Sequence, residues 1–245
     1  MKALILAAGY ATRMYPLTRE LPKALLPVGG KAVLDHLVEN LGRVASIGEL
    51  AVVTNDKFFG KFKDWASAAR RGPRLEVLND GTRSNEKRLG AIGDLRWAVE
   101  ALGWTCDLMV AAGDNLFPFE LSGLAEFFLA RGTDAITCYR QANLDRLRRT
   151  GVAVIADDGR VLDFAEKPAE PKSSWAVPPL YALQSATLDE LSRYLDEGNS
   201  PDAPGNFVAW LHKRRPVYAL ECNQGPHDIG TLESYREADR LYSSR

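Results

Sequence analysis

The sequence predicts a doubly wound α/β protein whose second half becomes more antiparallel, and three features carry that prediction. The run from Lys2 to Ala8 is apolar on both faces and stops at Gly9, as a buried parallel strand does. Further strand candidates follow over 49–54, 74–78 and 107–112, each separated from the next by a stretch with helical spacing. Beyond Ala112 the rhythm shortens, and Asp157-Asp158-Gly159 between alternating apolar residues signals a hairpin turn.

The elements follow in that order. The opening strand is followed by helices over 32–44, 57–70 and 89–102, which alternate with the three later strands and imply crossover units. A helix over 120–130 leads into a strand over 135–140, and two shorter strands over 151–156 and 161–165 flank the Asp-Asp-Gly turn. A helix over 186–195, a connection rich in Pro, Gly and Asn over 198–205, a strand over 217–221 and a last helix after Gly230 complete the chain. No internal repeat, low-complexity segment or linker interrupts it, so a single domain over 1–245 is expected, with halves at about 1–115 and 116–245.

Composition narrows the function. With 46% hydrophobic and 26% charged residues the chain reads as globular rather than disordered or membrane-embedded. Lys plus Arg number 31 against 32 Asp plus Glu, a net charge of −1, and the densest basic run, at Arg146, Arg148 and Arg149, is short. A generic grip on nucleic acid needs clustered uncompensated cations, so no nucleic-acid partner is expected. Cys106, Cys138 and Cys222 are odd in number and lack metal-binding spacing, and the first apolar run is too brief for a signal peptide or a membrane span. A cytoplasmic protein without a membrane partner is the expectation.

In an open α/β sheet, ligands bind beyond the carboxyl ends of the strands, where Gly9 sits. Neither common nucleotide fingerprint fits: Gly30-Lys31 is followed by Ala32, which breaks a P-loop, and Ala11 takes the second glycine of a dinucleotide site. What remains is Thr12 and Arg13 directly after the loop and Lys23 after Pro22, cations suited to a polyphosphate. A plain surface turn with scattered charges fits these residues about equally well.

The full string ALILAAGYATRMYPLTRELPKALLPVGGKAVLDHLVENL resembles the signature of the sugar-1-phosphate nucleotidylyltransferases, L-A-A-G-x-G-T-R-x-x-P-x-T-x-x-x-P-K-x-L-x-P-V, from Leu6 to Val28. The glucose-1-phosphate thymidylyl- and uridylyltransferase type is the nearest in pattern. Further matches keep family order, through AAGDN at Ala111 and DFAEKPAEPKSSWAVPPLYAL to HDIGTLESY. The resemblance implies a Rossmann-like doubly wound mixed sheet of the nucleotide-diphospho-sugar transferase type, with an antiparallel sugar-binding portion. It further implies a Mg2+-dependent enzyme that uses a nucleoside triphosphate, a pyrimidine by preference, and a sugar 1-phosphate.

Residue by residue, the resemblance implies that Leu6, Ala8, Gly9, Tyr10, Ala11 and Thr12 bind nucleotide, with Asn79 and Gly90 near the base. Arg13 and Lys23 would serve the triphosphate and Lys167 the acceptor phosphate, with Glu166 and Gly151 beside the sugar. Asp114 and Asp228 would hold magnesium, an ion that prefers hard oxygen ligands. Each has a plain counterpart: Asp114 and Asp228 as helix caps, Glu166-Lys167 as a surface ion pair, Asn79 as a turn former, Gly151 as an ordinary strand start. His36 reads as a packing or surface residue and His227 as pocket wall.

Two departures mark this chain. Ala11 replaces the family's second glycine, and with a negative φ there the loop still presents its amides and activity is retained. Pro179, after Pro178, replaces the glycine usual in the sugar-pocket segment, removing an N–H and fixing the backbone. A cytidylyltransferase acting on a non-sugar phosphate or phosphonate therefore stays open, as does a noncatalytic nucleotide-binding homologue. A glycosyltransferase is disfavoured, since no Asp-x-Asp metal motif is present. No appended β-helix domain is expected, and self-association into a homo-oligomer is left open.

Overall fold

The computed structural model describes residues 1–68 and 73–244. It opens with β1 (Lys2–Leu6), followed by a small hairpin of β2 (Pro27–Val28) and β3 (Lys31–Ala32) that leads into α1 (Val33–Leu41). Crossover units then build the front of the sheet: β4 (Glu49–Thr54), α2 (Phe59–Ala68), β5 (Arg74–Asn79), α3 (Ala91–Leu102) and β6 (Leu108–Ala112). β1 runs parallel between β4 and β6, and β5 lies parallel outside β4. The expected helix over 57–70 is α2, and its positions 69 and 70 lie outside the described residues.

The back half comprises β7 (Asn115–Leu116), α4 (Ser122–Arg131), β8 (Asp134–Arg140), α5 (Leu144–Leu147), β9 (Gly151–Ile155), β10 (Val161–Glu166), β11 (Trp175–Val177) and β12 (Leu180–Leu183). It ends with α6 (Ser185–Leu188), α7 (Glu190–Asp196), α8 (Pro204–Leu211), β13 (Val217–Glu221), β14 (His227–Asp228) and α9 (Leu232–Ser243). One continuous sheet results, in the order β10-β9-β11-β8-β12-β6-β1-β4-β5, with β13 also paired to β8. The change of direction occurs at β12, which is antiparallel to both β6 and β8. β9 and β10 form the hairpin expected around Gly159, whose φ of 90° only glycine adopts readily.

Both faces of the front sheet are covered. Along β1, Leu4 points into a core shared with α3, α7 and α8, whereas Ala3 and Ile5 point into one shared with α1, α2 and α4. This alternation is why the opening run is apolar at every position. Leu34, Leu37 and Leu41 of α1 are fully buried, each contributing about 1.5–3 kcal/mol by removal from water. A third, smaller core packs Met14, Leu26, Val28, Leu116 and Ile229 around Ala238 of α9, tying the chain's end to the loop after β1.

Three details differ from the sequence expectation. The helix over 186–195 is two helices meeting at Asp189, because Thr187 Oγ1 donates to the buried Asp134 at 2.7 Å and pins the first turn. The connection over 198–205 ends early, since α8 begins at Pro204, a position where proline suits a helix although it reads as a breaker. Finally, β7 and β14 form a two-residue antiparallel ladder too short to show any periodicity.

Candidate functional site

The carboxyl ends of β1, β4, β5 and β6 share one edge of the sheet, and the loops leaving them converge there. Gly113 N donates to Leu6 O at 2.9 Å, and a side chain at Gly113 would meet Ala7 and Ile5, so glycine lets the β6 loop run against β1. Asn55, fully buried after β4, donates from Nδ2 to Ala8 O at 2.8 Å and fixes the start of the Gly9 loop. Tyr10 turns inward, its hydroxyl 3.3 Å from Thr82 Oγ1.

Ala11 departs from the expected backbone. Its φ is 47° and its ψ 39°, left-handed rather than negative in φ. The second-glycine position therefore keeps glycine geometry with a methyl group on it, at a cost of roughly 1–2 kcal/mol. The turn is held by Met14 N and Thr18 Oγ1, which donate to Ala11 O at 3.0 and 2.7 Å. Thr12 and Arg13 open the short 3-10 turn beyond it and are exposed.

Charge concentrates one step away. Lys23, placed by a 3-10 turn after Pro22, sets Nζ 2.6 Å from Asp114 Oδ2. The β7–β14 ladder brings Asp228 opposite Asn115, and Ile229 N donates to Asp114 O at 3.0 Å, so the chain's two strand-end aspartates become neighbours. Glycine at 230 makes room for the second carboxylate, because a Cβ there would lie 2.7 Å from Asp228 Oδ2.

The two aspartates respond oppositely. Burial disfavours the Asp114 charge, but Lys23 and the Asn115 amide outweigh it and hold its carboxyl below the usual range. At Asp228, desolvation by crowding protein atoms and then the Asp114 charge push the carboxyl up, although the residue is open to solvent. Lys23, Arg13 and Lys167 act on Asp228 in the other direction. Arg13, Lys23, Asp114, Lys167 and Asp228, scattered over most of the sequence, thus form one electrostatic cluster.

The residues expected on the acceptor side are also adjacent. Glu166 is 13% exposed and lies between Gly151 and Gly205; a side chain at Gly205 would collide with its carboxylate, and one at Gly151 would sit 2.6 Å from Phe164. Burial raises the Glu166 pKa, with Lys167, at 3.6 Å, opposing the shift. Lys167 has a φ of 47°, and among the described residues it and Ala11 are the non-glycine residues with positive φ. Strain of this kind collects where a side chain must be aimed. At the departure from the family segment, Leu180 N donates to Pro178 O and Ala112 N to Pro179 O, so the proline corner is tied to β6.

The two residues expected near the base are committed within the protein. Asn79 donates to Asp56 Oδ1 at 2.8 Å and accepts from Gly81 N at 2.9 Å, which uses both ends of its amide in the loop. Gly90, with a φ of 81°, makes its close approach to Pro201, whose carbonyl would lie 2.7 Å from a Cβ. His36 Nε2 lies 2.8 Å from Val28 O with its ring edge-on to Tyr242, a packing position. Sequence reasoning gave no separate role to Thr18, although the signature contains it, or to Asp80 and Thr82 beside Asn79, and it missed Asn55, Gly205 and Asp94; of the last three, only Asp94, an acid amid the apolar positions of α3, left a visible signal.

Among the described residues, no group of three or more His, Cys, Asp or Glu is placed to hold a metal ion. The donor set at Asp114 and Asp228 is instead a pair of hard carboxylates whose repulsion is only partly compensated. That set fits magnesium, which takes one or two carboxylates and completes its shell with phosphate oxygens and water.

The family model for nucleotidyl transferases matches residues 2–245. A UTP–glucose-1-phosphate uridylyltransferase of Synechocystis sp. is 28% identical over 259 residues, covering 100% of this chain and 64% of its own. A glucose-1-phosphate thymidylyltransferase of Streptomyces griseus is 31% identical over 242 residues, covering 98% and 66%. The chain thus spans less than two thirds of the length of these relatives. A crystal structure from Bacillus anthracis, provisionally assigned as a glucose-1-phosphate thymidylyltransferase and solved with a sucrose, superposes with a TM-score of 0.85 at 25% identity, covering 100% of this chain and 96% of its own. A UDP-glucose pyrophosphorylase solved with UDP-glucose shares the fold, with a TM-score of 0.82 at 21% identity over 99% and 98% of the two chains.

Proposed function

The chain belongs to the nucleotidyl transferase family, and from that membership we propose that it transfers a nucleotidyl group from a nucleoside triphosphate to a sugar 1-phosphate. The products are a nucleotide sugar and pyrophosphate. The observation that carries this reading is the convergence of Lys23, Arg13 and Lys167 on the Asp114–Asp228 carboxylate pair, at the edge of the sheet where the Gly9 loop emerges.

An oxygen of the sugar 1-phosphate forms a bond to the α-phosphorus, and the bond from that phosphorus to the bridging oxygen breaks, its electron pair leaving on pyrophosphate. A phosphate monoester with a second pKa of about 6 is already largely dianionic at neutral pH, so no general base is needed. The task left to the protein is to bring two anions together, by position and charge. Arg13 serves the triphosphate and the departing pyrophosphate, Lys23 lies near the α-phosphate, and Lys167 orients the incoming phosphate. Glu166, wedged between Gly151 and Gly205, offers a fixed acceptor to sugar hydroxyls.

Asp114 and Asp228 would hold Mg2+, which when bound supplies Lewis-acid neutralisation of the phosphate oxygens. Lys23 keeps Asp114 ionised and correctly turned for that role. A pyrimidine donor is proposed from the motif resemblance alone, since the relatives include adenylyltransferases as well as uridylyl- and thymidylyltransferases. The three cysteines are unpaired, in keeping with a reducing cytoplasm as the setting.

The test is pyrophosphate release with magnesium, pairing UTP, dTTP, CTP, GTP and ATP in turn with glucose 1-phosphate, other sugar 1-phosphates and non-sugar phosphates. Turnover with a sugar 1-phosphate supports the proposal. Turnover only with a non-sugar phosphate would move the acceptor to the class that the Pro178–Pro179 corner leaves open. Triphosphate binding without turnover would point to a binding protein on this fold.

A further inference from the structure

Behind the Gly9 loop lies a pair of acids, the buried Asp94 and the half-buried Asp80, that the transfer reaction does not use. Asp94, in the first turn of α3, is 6% exposed, and among the described residues no donor reaches its Oδ1. Its carboxyl is in hydrogen-bonding contact with Asp80, at the end of β5. Two ionised carboxylates cannot share such a contact in a low-dielectric site, so one of them must carry a proton. Asp80 is the better anion, because Thr82 N and Thr82 Oγ1 donate to its Oδ1 at 2.7 and 2.8 Å. Asp94 has no comparable donors and is therefore the acid.

The pair reaches the nucleotide loop through one further link. With its hydroxyl proton directed at Asp80, Thr82 Oγ1 is free to accept from the Tyr10 hydroxyl at 3.3 Å. Tyr10 is 4% exposed and directly follows Gly9, so its hydroxyl contact with Thr82 ties the loop to the segment after β5. The charged or titratable groups facing Asp94 are Asp80 from β5, Tyr10 from the loop after β1 and, through Asp80, Asp56 after β4. Asp56 is itself held by Asn79 and Arg83, and α7 and α8, which also pack on α3, bring no charge that bears on Asp94.

We propose that Asp94 is a positioning residue for the nucleotide: it keeps a proton, donates it to Asp80, and through Thr82 and Tyr10 holds the Gly9 loop in the shape that receives the triphosphate. The role rests on the nucleotidyl-transfer reading above. Burial first, and then the Asp80 charge, push the Asp94 carboxyl up to about 8, so the lock is closed at neutral pH and opens in mildly alkaline solution. When only the protonated form binds, apparent affinity falls with its fraction: twofold at the midpoint and about tenfold one pH unit above it.

The experiment uses the intact chain and two readouts. Infrared spectroscopy follows the carbonyl stretch of a buried protonated carboxyl from pH 6 to 10, in the wild type and in Asp94→Asn. Calorimetry follows binding of UTP, dTTP, CTP, GTP and ATP with magnesium over the same range. Asparagine donates to Asp80 at every pH, so a band present at pH 7 in the wild type and missing in the variant, with affinity that falls above pH 8 in the wild type and stays flat in the variant, supports the proposal. A missing wild-type band overturns it even where nucleotide binds normally, as does a variant whose affinity falls in parallel with the wild type. If the band is present but no triphosphate binds, the positioning role and the nucleotidyl-transfer reading fail together, an outcome distinct from the loss of the proton alone.

Discussion

Thr18, fully buried, donates its hydroxyl to the carbonyl of Ala11 at 2.7 Å and so holds an alanine in the left-handed conformation that glycine adopts without strain. Replacing Ala11 with glycine relieves roughly 1–2 kcal/mol of backbone strain, against about 0.4–1 kcal/mol of added unfolded-chain entropy. Ala11→Gly is therefore expected to raise the melting temperature by about 2–4 °C. Thr18→Val, which keeps the shape and removes the donor, is expected to cost about 1 kcal/mol and to raise KM for the triphosphate more than for the acceptor. Thermal unfolding and initial-rate kinetics check both, and a glycine variant that melts lower than wild type would contradict the strained turn.

The opposite shifts of Asp114 and Asp228 give a pH signature. Asp114 stays ionised well into acid because Lys23 outweighs its burial, whereas desolvation and Asp114 raise the Asp228 carboxyl. As pH falls toward the carboxylate range, Asp228 takes up its proton before Asp114, and magnesium affinity should drop with the uptake of one proton. Asp228→Asn is expected to bind magnesium weakly at every pH without that dependence. Asp114→Asn is expected to lower kcat by about 10²–10³. Calorimetric magnesium titrations of the substrate-free protein over that fall in pH are the measurement, and an Asp228→Asn variant that retains the acid drop would refute the assignment.

How much of this was legible follows from the range of the interactions. The strand over 49–54 is readable to the residue because both faces are buried and the four positions between Glu49 and Thr54 are all apolar. The strand over 217–221 is equally plain, with inward and outward positions alternating. Arg13, Lys23, Asp114, Lys167 and Asp228 were legible as one site only through the motif resemblance; residue spacing alone does not bring Asp228 to Asp114, which depends on the β7–β14 ladder of two residues each. The sign of the Ala11 φ was hidden for a different reason: local preference favours a negative value, and the compensating bond comes from Thr18, seven residues away. Gly205 carried no local signal, because what it accommodates is a carboxylate from a distant strand.

Gly205 and Lys167 separate the acceptor side from the nucleotide side. A methyl group at 205 would collide with the Glu166 carboxylate and crowd the buried Phe164 ring at 3.2 Å, so Gly205→Ala should displace Glu166 at some cost in stability, which thermal unfolding reads separately. The expected result is a KM for the sugar 1-phosphate raised about tenfold, a change of about 1.4 kcal/mol, with KM for the triphosphate within twofold of wild type. Lys167→Ala should show the same asymmetry more strongly, because it removes a charge rather than moving one. If Lys167→Ala weakened triphosphate binding and left the acceptor untouched, Lys167 would have to be placed on the other substrate.

Asp94 also sets how stability varies with pH, independently of any substrate. Its carboxyl titrates at about 8 in the folded protein, because burial and Asp80 disfavour its charge, and near the ordinary value of about 4 in the unfolded chain. Between those values the folded state binds the proton that the unfolded state has released, so the contribution of this group to stability is greatest below about pH 4 and declines as pH rises. The slope is at most about 1.4 kcal/mol per pH unit, and it flattens once pH exceeds about 8 and both states are ionised. Asp94→Asn has no proton to lose, so its stability relative to wild type should grow steadily from about pH 5 to 8 and then level off. Denaturant unfolding of both proteins at several pH values measures that difference directly. Curves that stay parallel across the range would mean that Asp94 is ionised in the native fold at neutral pH, and the acid would then have to be Asp80 or neither residue.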